Sequence, residues 1–246
     1  MHAGARLNGA IAAGLLAAVV LAVPAAGLAG PRTVRSDVVL AYEREGDERA
    51  VIEGYLSAEG PDRLRLATHF GFFKAFDLTA RGDSFWVAVP RFGAVLAGRK
   101  DQVRVTPLDP GRLTQALFLD PLGGPPGDAD TVTDSTGARV AGRDSLGTWE
   151  LRLNPAGRPL RFTRRHDSGE QFLEVDFERY AEVQGGGYPR RIRWTDPERR
   201  QTLTMEFGDV RLDSGMDGVA FGPPPDSELK VVPWTSWEEI FSARPR

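Results

Sequence analysis

Residues 191–207 have the sequence RIRWTDPERRQTLTMEF, and apolar side chains occupy every second position on both sides of the Asp-Pro-Glu loop at 196–198. A period of two is typical of a strand with one buried face and one solvated face. A hairpin closed by this loop places apolar residues opposite apolar ones and a cation opposite an anion: Trp194 opposite Leu203, Ile192 opposite Met205, and Arg191 opposite Glu206.

A second segment, LRFTRRHDSGEQFLEVDF at 160–177, has the same alternation around a Ser-Gly turn. A two-residue loop at Ser168-Gly169 predicts three cross-strand pairs: Leu160 with Phe177, Phe162 with Val175, and Arg161 with Asp176. A slip of one residue would place Phe162 against a carboxylate, so the pattern specifies its own register. Two hairpins of this kind predict a sequential antiparallel meander.

The rest of the chain indicates a single mainly β domain over residues 30–246. Earlier strands are predicted near 34–43, 49–58, 62–69, 73–80, 84–89 and 93–98. Short helices are predicted after Asp109-Pro110, and at the capping box that begins at Ser236. Residues 120–147, rich in Gly, Pro, Asp and Thr, are predicted to form a long surface loop.

The first part of the sheet is richer in aromatic residues than a one-faced sheet requires. Either a second layer of structure covers these side chains, or they line a cavity. The residues are Phe70, Phe72, Phe73, Phe76, Phe85 and Trp86.

Residues 1–29 have the pattern of a secretory signal peptide. Arg6 precedes the apolar run 10–23, and Gly27 and Ala29 supply the small side chains of a cleavage site after Ala29. The alternative is an uncleaved N-terminal membrane anchor, although the apolar run is shorter than the roughly 20 residues that a spanning helix needs. We therefore expect an exported, periplasmic protein.

Composition argues against several classes of protein. The 246 residues include no cysteine and three histidines, with 31 Lys and Arg against 34 Asp and Glu. Thiol chemistry and thiolate metal sites are excluded, and the charge balance is not that of a nucleic-acid-binding protein. With no Gly-x-Ser-x-Gly or His-Glu-x-x-His motif, we expect no catalytic residues, metal or cofactor.

Arginines are concentrated in two parts of the predicted meander, 161–165 and 190–200. Because carboxylates face several of them in the predicted hairpins, we interpret this surface as a charge-paired, solvated sheet face, with contact to anionic lipid headgroups or a partner as the alternative. The arginines are Arg161, Arg164, Arg165, Arg190, Arg191, Arg193, Arg199 and Arg200.

Several short motifs follow one another in a recognisable order. They are GFFKAFDL (71–78), DSFWVAVP (83–90), YPRRI (188–192), FGDVRL (207–212) and VAFGPPP (219–225). This order resembles that of the LolA/LolB-like superfamily of periplasmic lipoprotein carriers and related outer-membrane lipoprotein-sorting proteins, and the resemblance covers most of residues 34–232. Pro31 follows Leu28-Ala29-Gly30 where the anchored branch of that superfamily carries a lipidated cysteine, which would make this chain a soluble member.

This resemblance implies an open, unclosed β-barrel of about 11 strands, with a few short helices covering the concave face and an apolar cavity for acyl chains. It implies a single domain that works as a monomer, binds lipid or an acylated lipoprotein, and contacts envelope proteins and the membrane periphery. The expected cavity residues are Leu64, Leu66, Phe72, Phe73, Phe76, Phe85, Trp149, Leu151, Phe162, Val175, Phe177, Trp194 and Met205. The alternative is an envelope interaction module of the same fold whose groove is filled by its own side chains.

Overall fold

The computed structural model describes residues 30–46, 49–102, 110–123, 129–223 and 229–233. The predicted signal peptide and the predicted helix at Ser236 lie outside these residues. Fifteen strands and one α-helix, α1 (Pro110–Leu117), are present in the described ranges. The strands are β1 (Thr33–Arg44), β2 (Ala50–Glu59), β3 (Arg63–Phe70), β4 (Phe73–Arg81), β5 (Ser84–Val89), β6 (Ala94–Arg99), β7 (Ala129–Asp134), β8 (Gly137–Asp144), β9 (Gly147–Leu153), β10 (Pro159–Arg165), β11 (Gln171–Val183), β12 (Gly186–Asp196), β13 (Gln201–Phe207), β14 (Arg211–Leu212) and β15 (Lys230–Pro233).

All the strands belong to one large curved sheet that does not close into a barrel. Its order is β15-β6-β5-β4-β3-β2-β1-β13-β12-β11-β10-β9-β8-β7, and β14 pairs with β1. The order consists of two meanders, β1–β6 and β7–β13, joined by the antiparallel pairing of β1 with β13. This pairing places apolar residues opposite each other, because Leu40 faces Met205 and Tyr42 faces Leu203.

The predicted register of both hairpins is confirmed. Trp194 lies opposite Leu203 in β12–β13, and Phe162 lies opposite Val175 in β10–β11. The predicted two-residue turn was wrong in detail, because Gly169 (φ 92°) donates its N–H to the carbonyl of His166. A bulge after Arg164 absorbs the extra residue, which leaves the pairs nearer the core unchanged.

The inner face of the sheet and one face of α1 enclose the hydrophobic core. Side chains from β1–β5, β9–β13 and α1 form one buried cluster. In α1, Leu113, Ala116 and Leu117 are buried, which is the spacing expected of a helix with one apolar face. Phe118 follows the helix and is buried in the same cluster.

Three expectations about the architecture need correction. The sheet has 15 strands rather than about 11, and one α-helix rather than several covers the inner face in the described residues. The segment 120–147 is not one long loop, because β7 and β8 form a hairpin within it. The edge strand β7 is exposed along almost its whole length, so its sequence lacks the buried apolar alternation by which a strand is identified. None of the helices in the described part of the chain is long and apolar enough to cross a membrane.

Candidate functional site

The structure brings most of the expected cavity residues together, but as a packed core. They contact one another and α1 within a single cluster. Phe76 is partly buried against this cluster, whereas Phe72 and Phe73 are exposed to solvent. The buried members of the expected set are Leu64, Leu66, Phe85, Trp149, Leu151, Phe162, Val175, Phe177, Trp194 and Met205.

The exposed phenylalanines lie at the β3–β4 turn, which we call the aromatic tip (Phe70, Phe72 and Phe73). Phe70 is 72% exposed, Phe73 is 79% exposed and Phe72 is fully exposed. Gly71 has a φ of 58°, which permits the tight turn, and Phe70 lies opposite Phe73. Phe76, three residues after Phe73 on β4, is partly buried against the core, and the polar pair His69 and Lys74 lies between it and the tip.

Helix α1 is tied to the sheet by a buried hydrogen bond. The hydroxyl of Tyr188 donates to the carbonyl oxygen of Leu117 at 3.0 Å, and the Tyr188 ring packs edge-on against Phe207. Burial raises the pKa of Tyr188 well above its ordinary value, so the phenol stays a neutral donor. The last carbonyls of a helix have no partner within the helix, and Tyr188 supplies one.

Trp194 carries a polar group that its surroundings do not satisfy. The side chain is 1% exposed in the middle of the apolar cluster. Its indole Nε1–H finds no acceptor within the part of the chain that the structure describes. A buried donor without an acceptor is rare and costs about 1–3 kcal/mol. Within the described residues, the inner face therefore contains a buried hydrogen-bond donor, Trp194 Nε1–H, that has no acceptor.

Several solved structures resemble this one over most of their length. A LolA superfamily protein from Nitrosomonas europaea is 14% identical, with a TM-score of 0.56 over 78% of this chain and 90% of that chain. A DUF1329 family protein from Desulfovibrio piger is 12% identical, with a TM-score of 0.62 over 84% of this chain and 96% of that chain. This chain has the LolA/LolB-like fold.

A third neighbour is a putative outer membrane lipoprotein-sorting protein domain from Vibrio parahaemolyticus. It is 10% identical, with a TM-score of 0.56 over 76% of this chain and 87% of that chain. No family model and no curated protein matches the sequence. At these identities the likeness concerns the fold, and the function must be argued from the residues of this chain.

The outer face of the LolA-like sheet is paired in charge, as the sequence predicts. Arg161 Nε and Arg193 Nη2 bind the two carboxylate oxygens of buried Asp176 at 2.6 and 2.8 Å. Arg191 Nε donates to Glu206 at 2.8 Å. The hydrogen bond from Arg191 lowers the pKa of Glu206 below its ordinary value. Most of the arginine surface is therefore a network of ion pairs.

Two clefts on this outer face have polar linings. The smaller, about 280 Å³, lies across β12, β13 and β1, where Arg191 and Glu206 belong to the ion-pair network and Thr204 adds a hydroxyl group to the lining. The larger, about 460 Å³, lies across β8, β9 and β10 and contains Arg139, Arg143 and Arg165. Sequence reasoning missed the larger cleft because most of its β8 wall was assigned to a loop. In the described ranges, no three His, Asp or Glu side chains lie together in a group that could hold a metal ion.

Proposed function

We propose that the chain is a non-enzymatic carrier that binds acyl chains of lipids or lipoproteins between the inner face of the sheet and α1. The observation that carries this proposal is the buried Nε1–H of Trp194, which has no acceptor among the described residues. An ester or amide carbonyl at the head of an acyl chain is the acceptor that this donor lacks. The LolA-like fold supports the same assignment.

Binding requires the apolar side chains of α1 to give way to the ligand. Leu113, Leu117 and Phe118 occupy the position over the inner face that an acyl chain would take. Each methylene that leaves water contributes about 0.8 kcal/mol, which offsets the cost of separating the helix from the sheet. No bond is made or broken, so affinity and not turnover is the expected activity.

The aromatic tip is the expected entry point for the ligand. Its phenylalanines are exposed, and Phe76, further along β4, is partly buried against the core. Aromatic side chains are favoured at the boundary between water and lipid, so the tip would contact a membrane surface or an acyl chain first. In this proposal the protein is exported to the periplasm as a monomer, with residues 1–29 as its signal peptide.

The test is binding of a fluorescent fatty acid, together with native mass spectrometry for co-purifying lipid. We expect saturable binding that weakens at least about tenfold in Trp194→Phe, which keeps an aromatic ring but removes the donor. Trp86→Phe is the matched control, because Trp86 lies on the opposite face of β5 from the buried Phe85. Unchanged affinity in Trp194→Phe, or no binding by the unmodified protein, would refute the proposal.

A second candidate function is an interaction module of the cell envelope with a filled groove. The dense packing of the expected cavity residues favours it, since their side chains already bury one another. This candidate predicts no bound lipid and a stable protein partner in cross-linking of intact cells. Bound lipid that depends on Trp194 would exclude it.

A further inference from the structure

The larger outer cleft, which we call the arginine cleft, combines three arginines with hydroxyl groups on one face of β8–β10. Arg143 and Arg165 lie on the strands either side of Thr148 and are both in register with it. Thr163 and Arg139 complete the basic and hydroxyl lining, and the volume is about 460 Å³. All these residues belong to strands, so the sheet fixes their spacing.

The register of this face is unusual because it places like charges opposite each other. Arg139 lies directly opposite Arg152, and Arg152 lies directly opposite Arg161. Like charges in directly opposed positions destabilise a sheet unless a counter-charge intervenes. Three arginines in one row across neighbouring strands therefore need anions close to them.

Carboxylates of the protein supply this counter-charge for the row. Glu150 accepts hydrogen bonds from both Arg139 and Arg152 at 2.8 Å, and Arg161 binds Asp176 at 2.6 Å. Arg143 binds Asp167 at 2.6 Å, but both side chains are mainly exposed, so solvent screens this ion pair. Asp130, at the rim on β7, is the other acidic side chain of the cleft.

Of the three arginines in the cleft, Arg165 is the one that has no ion pair within the described part of the chain. It is exposed, lines the arginine cleft, and has no carboxylate partner among the residues that the structure describes. A guanidinium group offers several donors in one plane and matches the oxygen atoms of phosphate better than an ammonium group does. Arg143 and Arg165 lie on either side of Thr148 in register and line the same cleft, so two guanidinium groups and one hydroxyl are available to one anion.

We propose that the arginine cleft binds a phosphate group, held by Arg165 and Arg143 with the hydroxyl of Thr148 between them. The cleft volume exceeds what inorganic phosphate needs, so it also accepts the phosphate of a larger molecule such as a lipid headgroup. This site lies on the outer face of the sheet, whereas the proposed acyl site lies on the inner face, so either proposal can fail without the other.

The test is a titration of the purified protein with inorganic phosphate, followed by backbone amide shifts in NMR spectra. We expect saturable shifts at Thr148, Thr163 and Arg165, and an affinity at least about fivefold weaker in Arg165→Ala. Asp167→Asn releases Arg143 and should strengthen binding by about twofold. Arg81→Ala is the matched control, an exposed arginine on β4, seven strands along the sheet from β10.

Co-sedimentation with phosphatidylcholine vesicles, with and without phosphatidic acid, identifies the source of the phosphate. Binding to the phosphatidic acid vesicles that requires Arg165 supports a lipid headgroup. Binding of soluble phosphate without vesicle binding supports a free phosphate ligand. The proposal is overturned if the protein binds neither soluble phosphate nor the phosphatidic acid vesicles. It is also overturned if Arg165→Ala and the unmodified protein bind phosphate with equal affinity.

Discussion

The hydroxyl of Tyr188 donates a 3.0 Å hydrogen bond to the carbonyl oxygen of Leu117, which ties β12 to the last residue of α1. The bond is buried, so water cannot replace it without opening the helix. Together with the buried apolar side chains of α1, it holds the helix against the sheet.

Tyr188→Phe leaves the carbonyl of Leu117 without its partner, and we expect the free energy of unfolding to fall by about 1–2 kcal/mol. Amide hydrogen exchange in α1 should become faster, because local opening of the helix costs less. Tyr180→Phe is the control, since its hydroxyl binds the carbonyl of Pro159 away from α1. Equal exchange in α1 in the unmodified protein and Tyr188→Phe would contradict the role of this bond.

The aromatic tip should matter for ligand uptake and little for stability. For Phe72→Ser with Phe73→Ser, we expect unfolding free energies within about 0.5 kcal/mol of the unmodified protein, because both side chains are exposed. Transfer of a fluorescent lipid from vesicles to the protein should become slower in this double variant. Val132→Ser, an exposed apolar position on β7, is the control. Unchanged transfer rates would remove the tip from the proposed entry path.

Asp176 is the buried anion that two arginines share on the outer face. Asp176→Asn removes the charge that holds Arg161 and Arg193 together, and we expect a loss of about 2–3 kcal/mol in chemical denaturation. Glu182→Gln, at an exposed position on the same strand, should have an effect below about 0.5 kcal/mol. Equal effects of the two substitutions would show that the shared carboxylate is not stabilising.

Gly142 lies too close to Trp149 to accept a side chain. A methyl group at Gly142 would be 2.5 Å from Cζ2 of the Trp149 ring. Gly142→Ala should therefore force the indole to shift and cost about 1–3 kcal/mol, seen as a lower melting temperature and altered tryptophan fluorescence. At Gly215 the nearest atom would be 3.7 Å away, so Gly215→Ala serves as the control. A stable Gly142→Ala with unchanged fluorescence would contradict this packing.

The ion pair of Glu206 makes a contribution to stability that depends on pH. The hydrogen bond from Arg191 lowers the pKa of Glu206 in the folded protein, so the contribution is present above the pKa of the unfolded chain. It is lost as the pH falls through the lower, folded-state pKa. Because the pair is partly exposed, we expect only about 0.5 kcal/mol, measured as the stability difference from Glu206→Gln across an acid titration. The same difference at all pH values would contradict this linkage.

The alternation of residues was enough to predict the register of the two C-terminal hairpins. Phe162 and Val175 could meet only on the buried face, since a slip of one residue would bring a carboxylate there. The same signal failed for β7, where both faces are exposed, and it missed the bulge after Arg164. Charge pairing on the outer face followed from the register, as the contact of Arg161 with Asp176 illustrates.

The sequence by itself determined which residues form most of the strands, which side of each strand is apolar, and which arginines face carboxylates. These properties depend on neighbours along the chain or across a short turn, where backbone geometry leaves one favourable arrangement. Only the tertiary structure decided that β13 pairs with β1, that α1 lies over the inner face, and that Trp194 is buried without an acceptor. It also decided that Phe72 and Phe73 lie at an exposed tip while Phe162 is in the core. A period of two specifies the face of a strand, but contacts between distant segments depend on how the whole sheet curves.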